Sequence, residues 1–170
     1  VTTSLTGFWN NDQATTLYWA ADYTDFAADG ALPSVTSPDG WTNALGLTHE
    51  WSFDSPFLRL LRLGAQVQRA DTVGADHTFN GVGLHGEIWI PLTERLDARL
   101  RGSWGIRDYP EFQSGAPRDE QLWSIGGELR RWWSEHWSVR LVASFDRFDS
   151  RNPEFDAKRF FAGLLVGFEY

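Results

Sequence analysis

Between Leu96 and Ile106 the chain alternates, residue by residue, between two chemistries. Leu96, Ala98, Leu100, Gly102, Trp104 and Ile106 are apolar or small, while the interleaved Asp97, Arg99, Arg101, Ser103, Gly105 and Arg107 carry three arginines and an aspartate. A period of two puts these sets on opposite faces of an extended strand, because successive Cβ atoms point to opposite sides of the pleat. The pattern recurs along the chain, in segments separated alternately by short turns and longer loops. The expected class is all-β, an antiparallel up-and-down barrel.

Eight main strands are read from the alternation: Ala14 to Phe26, Trp41 to Phe53, Phe57 to Arg69, Phe79 to Leu92, Arg95 to Tyr109, Glu120 to Trp133, Trp137 to Ser150 and Arg159 to Tyr170. Each is longer than a typical strand of about 5–6 residues, and exceeds the roughly 9–11 residues a tilted strand needs to cross hydrocarbon. Asp54-Ser55-Pro56, Thr93-Glu94 and Ser134-Glu135-His136 read as tight turns, whereas the segments near 27–40, 70–78, 110–119 and 151–158 are longer and rich in Gly, Pro, Asp and Ser. Four long and three short connections suit eight antiparallel strands with both termini at one end. Transmembrane barrels have short periplasmic turns and long extracellular loops, which sets an orientation. Residues 13–170 are thus expected to form the barrel. Residues 1–12 are an N-terminal extension or an extra strand, since Leu5, Gly7 and Trp9 alternate.

Composition narrows the function classes. A formal charge of −8 argues against a nucleic-acid partner. With no cysteine, neither a disulfide nor a thiolate metal site can form. Lys158 is the single lysine among fifteen basic residues. Arginine's planar fork suits interior ion pairs, although GC-rich coding produces the same bias. No apolar run reaches the roughly 18–20 residues of a transmembrane helix, which says little about a barrel, where inward polar residues cancel the outward apolar ones. The chain begins at Val1 without a charged-then-apolar leader, and reads as a segment from which an export signal has been removed.

Periodicity alone does not say which face points outward, and a lipocalin-like soluble barrel alternates equally well. Three features favour lipid on the outside, the third being a closing segment that alternates up to the aromatic Tyr170. The polar faces are heavily charged, so Arg62, Gln66, His85, Glu87, Arg99, Arg101, Glu128, Arg130, Arg140 and Asp146 are expected to form a lumen-facing network. Aromatic residues crowd the strand ends, so Trp51, Trp89, Trp104, Trp123, Trp133, Trp137, Phe168 and Tyr170 are expected on the lipid-facing side and its aromatic belts.

The closing segment Phe160, Ala162, Leu164, Val166, Phe168 and Tyr170 alternates up to a terminal aromatic. It resembles the last-strand signal of Gram-negative outer-membrane proteins, with Gly163 and Gly167 at offsets other than the customary one. Gly86-Glu87-Ile88-Trp89-Ile90-Pro91-Leu92, Arg118-Asp119 and the closing strand together resemble the C-terminal part of the barrels in surface-lipoprotein-assembly-modifier-like, tetratricopeptide-linked proteins. These resemblances imply an outer-membrane location, lipid and lipopolysaccharide as surroundings, and the barrel-assembly machinery as a partner during biogenesis. The second also allows the chain to be part of a larger barrel.

Catalytic readings are weaker than structural ones. His136-Trp137-Ser138 has the His-x-Ser spacing that resembles outer-membrane lipid A deacylases, yet it falls at a short turn and reads as a turn histidine. Asp76-His77 resembles the Asp/His pairing of omptin proteases and reads as a solvated loop pair. His49-Glu50, His77 and His85 lack the spacing of a metal site, and the loop residues Asp25, Asp29 and Asp39 read as solvated charges. No cofactor, metal or catalytic residue is expected. The expected role is a structural anchor or scaffold for another envelope protein, the alternative a narrow pore or part of an export barrel, and the third a lipid A-modifying hydrolase.

Overall fold

The computed structural model describes residues 1–25 and 37–168. Its strands form one nine-stranded sheet in sequence order. They are β1 (Thr2–Asn10), β2 (Gln13–Thr24), β3 (Gly40–Ser52), β4 (Leu60–Thr72), β5 (Phe79–Thr93), β6 (Leu96–Asp108), β7 (Asp119–Trp132), β8 (Trp137–Ser150) and β9 (Ala157–Phe168). Each strand pairs antiparallel with the next. Among the described residues the only helical pieces are two single 3-10 turns, Ala75–His77 and Pro153–Phe155. The architecture is therefore all-β and up-and-down.

Two expectations are corrected. Residues 2–10 are a strand of the same sheet, so the count is nine rather than eight. The described strands also do not close into a ring, because β1 contacts only β2 and β9 contacts only β8. Strand alternation sets the faces of a strand, but closure depends on long-range geometry that alternation does not carry. Phe26, Asp29 and Tyr170 lie outside the described residues.

The register keeps the two chemistries apart over the whole sheet. Glu50, Arg62, Glu87 and Arg101 stand opposite one another on β3, β4, β5 and β6, so one cross-strand row of the polar face alternates in charge. On the other face the row Leu17, Leu47, Ala65, Leu84, Trp104 and Trp123 runs from β2 to β7. A slip of one residue in any pair would exchange the faces, so the alternation itself fixes register.

The polar face is the concave one. Tyr18 on β2 donates its hydroxyl to Gln66 Oε1 on β4 at 2.7 Å, passing over β3 at Gly46. Thr48 Oγ1 on β3 lies 3.1 Å from His85 Nε2 on β5, across β4 at Gly64. Such bonds span two strand spacings, about 9.6 Å of sheet, and need an inward-curved surface with no side chain on the strand between. A Cβ on Gly46 would overlap the Tyr18 ring, and one on Gly64 would overlap the His85 ring. Gly46→Ala is expected to push the Tyr18 ring aside and break its bond to Gln66, at a cost of about 0.5–1.5 kcal/mol. Gly7→Ala, where an added Cβ meets nothing within 4 Å, serves as the near-neutral control. Equilibrium denaturation followed by tryptophan fluorescence compares the two, and equal effects would remove this account of the curvature.

Candidate functional site

Two polar assemblies stand out: the concave face itself and a knot of loops above it. The concave face forms an open cavity of about 720 Å³ lined from β1 to β7 by residues including Thr16, Tyr18, Glu50, Arg62, Glu87, Arg101 and Ser124. Arg62 bridges its two neighbours, with Nε 3.0 Å from Glu50 Oε2 and Nη1 3.5 Å from Glu87 Oε2. All three side chains remain about one-third exposed, so this chain of charges lies against water rather than in a dry core. Pairs of that kind contribute modestly to stability. Ser124 donates to Asp146 at 2.7 Å, and Arg130 Nε lies 3.4 Å from Glu128 Oε1.

The ten residues expected to form one network, Arg62, Gln66, His85, Glu87, Arg99, Arg101, Glu128, Arg130, Arg140 and Asp146, share this face by register. Within this set Arg62 reaches Glu87 and Arg130 reaches Glu128. Arg130 and Arg140 stand directly opposite one another. Two like charges in that arrangement repel unless water or counter-charge screens them.

Trp51, Trp104, Trp123 and Trp137 lie on the opposite, convex face, where Trp104 and Trp123 pair at 6.1 Å between ring centroids and Trp137 packs on Phe168 at 4.9 Å. Trp133 is exposed in the following turn. Trp89 is a correction. It stands opposite Leu60 and Arg99 on the polar face, and Arg99 lies over its ring with Cζ 4.3 Å from the centroid. Its position near a strand end suggests a belt residue, but its parity, two residues from Glu87, places it inside. The same pairing recurs with Arg107 over Phe79 at 4.5 Å and Arg159 over Phe148 at 5.6 Å. Arginine suits this use, being weakly hydrated and flat enough to stack on a ring. Aromatic residues sharing parity with arginines are the sequence signal for it.

The convex face has a simple electrostatic pattern. Its ionisable residues sit at strand ends: Arg69, Asp71, Asp108, Asp119, Arg147, Asp149 and Lys158 toward the long loops, His49 and Arg131 toward the short turns. Between them the face is uncharged on every strand. On β6 this stretch runs from Leu96 to Ile106, roughly 34 Å along the strand.

The loop knot was not legible in the sequence. Asp76, read there as a solvated charge, is only 3% exposed. Its carboxylate accepts the backbone N–H of Gln113 at 2.7 Å, the N–H of Ser114 at 3.3 Å and the Ser114 hydroxyl, which ties the loop after β4 to the loop after β6. Beside it the Arg118 guanidinium is sandwiched between Tyr109 and Phe155, with Cζ 3.9 and 3.8 Å from the two ring centroids. Arg118 also donates from Nε to Glu120 Oε1 at 2.7 Å and from Nη1 to the Asp76 carbonyl at 3.2 Å. Tyr109 donates its hydroxyl to Glu120 Oε2 at 3.0 Å. Burial, and then the Glu120 charge, push the Tyr109 phenol up to about 12. Three loops are thereby held together by one arginine. No periodic pattern links residues 76, 118 and 155.

Burial alone would raise the Asp76 carboxyl, but the hydrogen bonds from Gln113 and Ser114 and the nearby His77 charge outweigh it, leaving the group below its ordinary value of 3.8. A depressed folded value means the stabilisation is fully present above pH 3.8 and is lost as the pH falls through the folded value. The amides of Gln113 and Ser114 are expected to lose hydrogen-exchange protection over that acid range, and Asp76→Asn to abolish the pH dependence. Protection that ignores pH in the parent protein would contradict this.

His136 and Ser138 have different surroundings. His136 is exposed with its ring 5.8 Å from that of Phe168, whereas Ser138 is buried on the polar face beside Gly167. Among the described residues no group of three His, Asp or Glu side chains converges in metal-binding geometry. Ser37 donates to Asp39 at 2.9 Å, which orders the chain ahead of β3.

No family model, curated protein or solved structure matches this chain.

Proposed function

We propose that this chain is wall of a β-barrel in a bacterial outer membrane, with the convex face in lipid and the concave face toward an aqueous interior. The observation that carries this reading is the uncharged convex band, whose few charged neighbours on that face lie only near strand ends, most of them toward the long loops. At the tilt of about 40° usual in such barrels, its roughly 34 Å on β6 would span about 26 Å, close to their roughly 25 Å apolar band. A soluble barrel of the opposite sense would bury its apolar face, whereas here Leu45, Leu84, Leu100 and Leu141 all lie about half exposed on the convex side. The aromatic residues at the strand ends and the closing segment from Phe160 to Tyr170 add support. On this reading the partners are lipid and lipopolysaccharide, with the assembly machinery during biogenesis.

The role we assign first is that of a membrane anchor, its knotted long-loop end presented as a rigid surface to another envelope protein. A second reading, passage of polar solutes or of a polar chain, is favoured by the cavity of about 720 Å³ and its hydrated charges. An eight-stranded barrel is just filled by its own side chains, and nine strands already exceed that number.

The test is made on protein drawn from washed outer membranes. A boiled-versus-unboiled mobility shift on a detergent gel is expected, and a soluble protein without the shift would sink the membrane reading. Planar-bilayer conductance that falls with Arg101→Leu would favour passage. No conductance, with a stoichiometric copurifying partner, would favour the anchor.

A further inference from the structure

We infer that the sheet is completed by an odd number of further β-strands, supplied by chain outside these residues and antiparallel to both β1 and β9, and not by a second copy. The inference rests on the membrane reading for its energetic force and on strand topology for its content. In an antiparallel meander of nine strands the first and last run in the same direction. Direct pairing of β1 with β9 would therefore be parallel, and inserting an even number of strands leaves one parallel pair. Only an odd number gives an antiparallel neighbour at both edges.

The edges cannot stay bare in hydrocarbon. Every second residue of the nine in β1 and the twelve in β9 turns its N–H and C=O away from the sheet, where lipid offers no partner. A second copy would pair these groups only through a parallel seam, slightly less stable per residue and unlike the antiparallel pairing of all nine strands. Two copies in one membrane share an orientation, since their long loops must stay on the same side. The β9 of one and the β1 of the next then run parallel, as within a single chain.

A second, independent observation comes from the side chains. On the strands' polar face, the large apolar residues left exposed are Phe8 on β1, at 80%, and Phe161 and Leu165 on β9, at 56% and 45%. Large apolar residues of the same face on inner strands, such as Leu60, Trp89, Leu122 and Val142, are at least partly covered by neighbours. On its other face β9 exposes Phe160, Leu164 and Val166. A strand apolar on both sides is one meant to be covered on both. The joining strands therefore present apolar side chains inward at each seam as well as outward to lipid.

The test places photoreactive benzoylphenylalanine at Phe8, Phe161 or Leu165 in the protein as it exists in its own outer membrane, and maps adducts by mass spectrometry. Adducts are expected on alternating apolar–polar segments outside residues 1–170. The Leu165 adduct should lie N-terminal to the Phe161 adduct in the segment that pairs with β9, as antiparallel pairing requires. Adducts joining Phe8 to β9 of the same chain would show a self-closed nine-stranded barrel and overturn the inference. So would adducts joining β1 to β9 of a second copy, or adducts to lipid alone. Fractionation of the same sample tests the membrane reading separately: recovery in the soluble fraction defeats that reading whatever the adducts show.

Discussion

Leu100→Arg is expected to lower stability in a bilayer by about 2–4 kcal/mol, the measured range for arginine at the midplane of a transmembrane barrel. Leu100 sits near the middle of the uncharged stretch of β6 and points outward. At that height neither headgroup layer is close enough for the guanidinium to reach without distorting the bilayer. Ser103, one strand face away, opens onto the concave cavity, where Ser103→Arg finds water and carboxylates instead. Its expected effect is within about 0.5 kcal/mol, as for most substitutions at solvated positions. Reversible denaturant unfolding in phospholipid vesicles, followed by tryptophan fluorescence, separates the two. A tolerated Leu100→Arg beside a damaging Ser103→Arg would reverse the faces, and with them the membrane reading.

Arg118→Ala is expected to cost about 3–5 kcal/mol in the structure at the long-loop end, because it strips a buried carboxylate of its partner. The Arg118 and Glu120 side chains are 11% and 5% exposed, so water cannot readily take over. The loss should appear as hydrogen exchange and proteolysis in the loops around 73–78, 109–118 and 151–156, while β3 to β7 stay protected. Arg118→Lys should rescue poorly, since an ammonium cannot fill the flat slot between Tyr109 and Phe155. Adding Glu120→Gln to Arg118→Ala should recover part of the stability by removing the orphaned charge. If Arg118→Ala left these loops as protected as before, the knot would be packing without consequence. The anchor role would then lose its rigid surface.

Some of the site was readable from residues alone. Parity assigns Arg62, Glu87 and Arg101 to one face without any structure; the paired strands keep them there and add Glu50, which the sequence reading does not place. Trp89 shows where the reading slipped. Nearness to a turn suggested a belt aromatic, but parity was the stronger physical signal, because a side chain cannot leave its face without a bulge. Asp76 shows a different limit. Its three hydrogen bonds come from residues 113 and 114, and a loop carboxylate in water has the same local sequence as one that caps another loop.

The alternation of apolar and polar residues, by itself, determined that this chain forms long antiparallel strands with two unlike faces. A period of two has few other folded solutions, and a one-residue slip would exchange the two faces. Only the tertiary structure decided that residues 2–10 join the sheet and that the charged face curls inward over Gly46 and Gly64. It alone showed three loops meeting on Arg118, and β1 and β9 ending as two unpaired edges that run the same way. The physical reason is range. Faces follow from each residue and its immediate neighbours, whereas curvature, closure and loop contacts depend on groups dozens of residues apart that meet only once the sheet has formed.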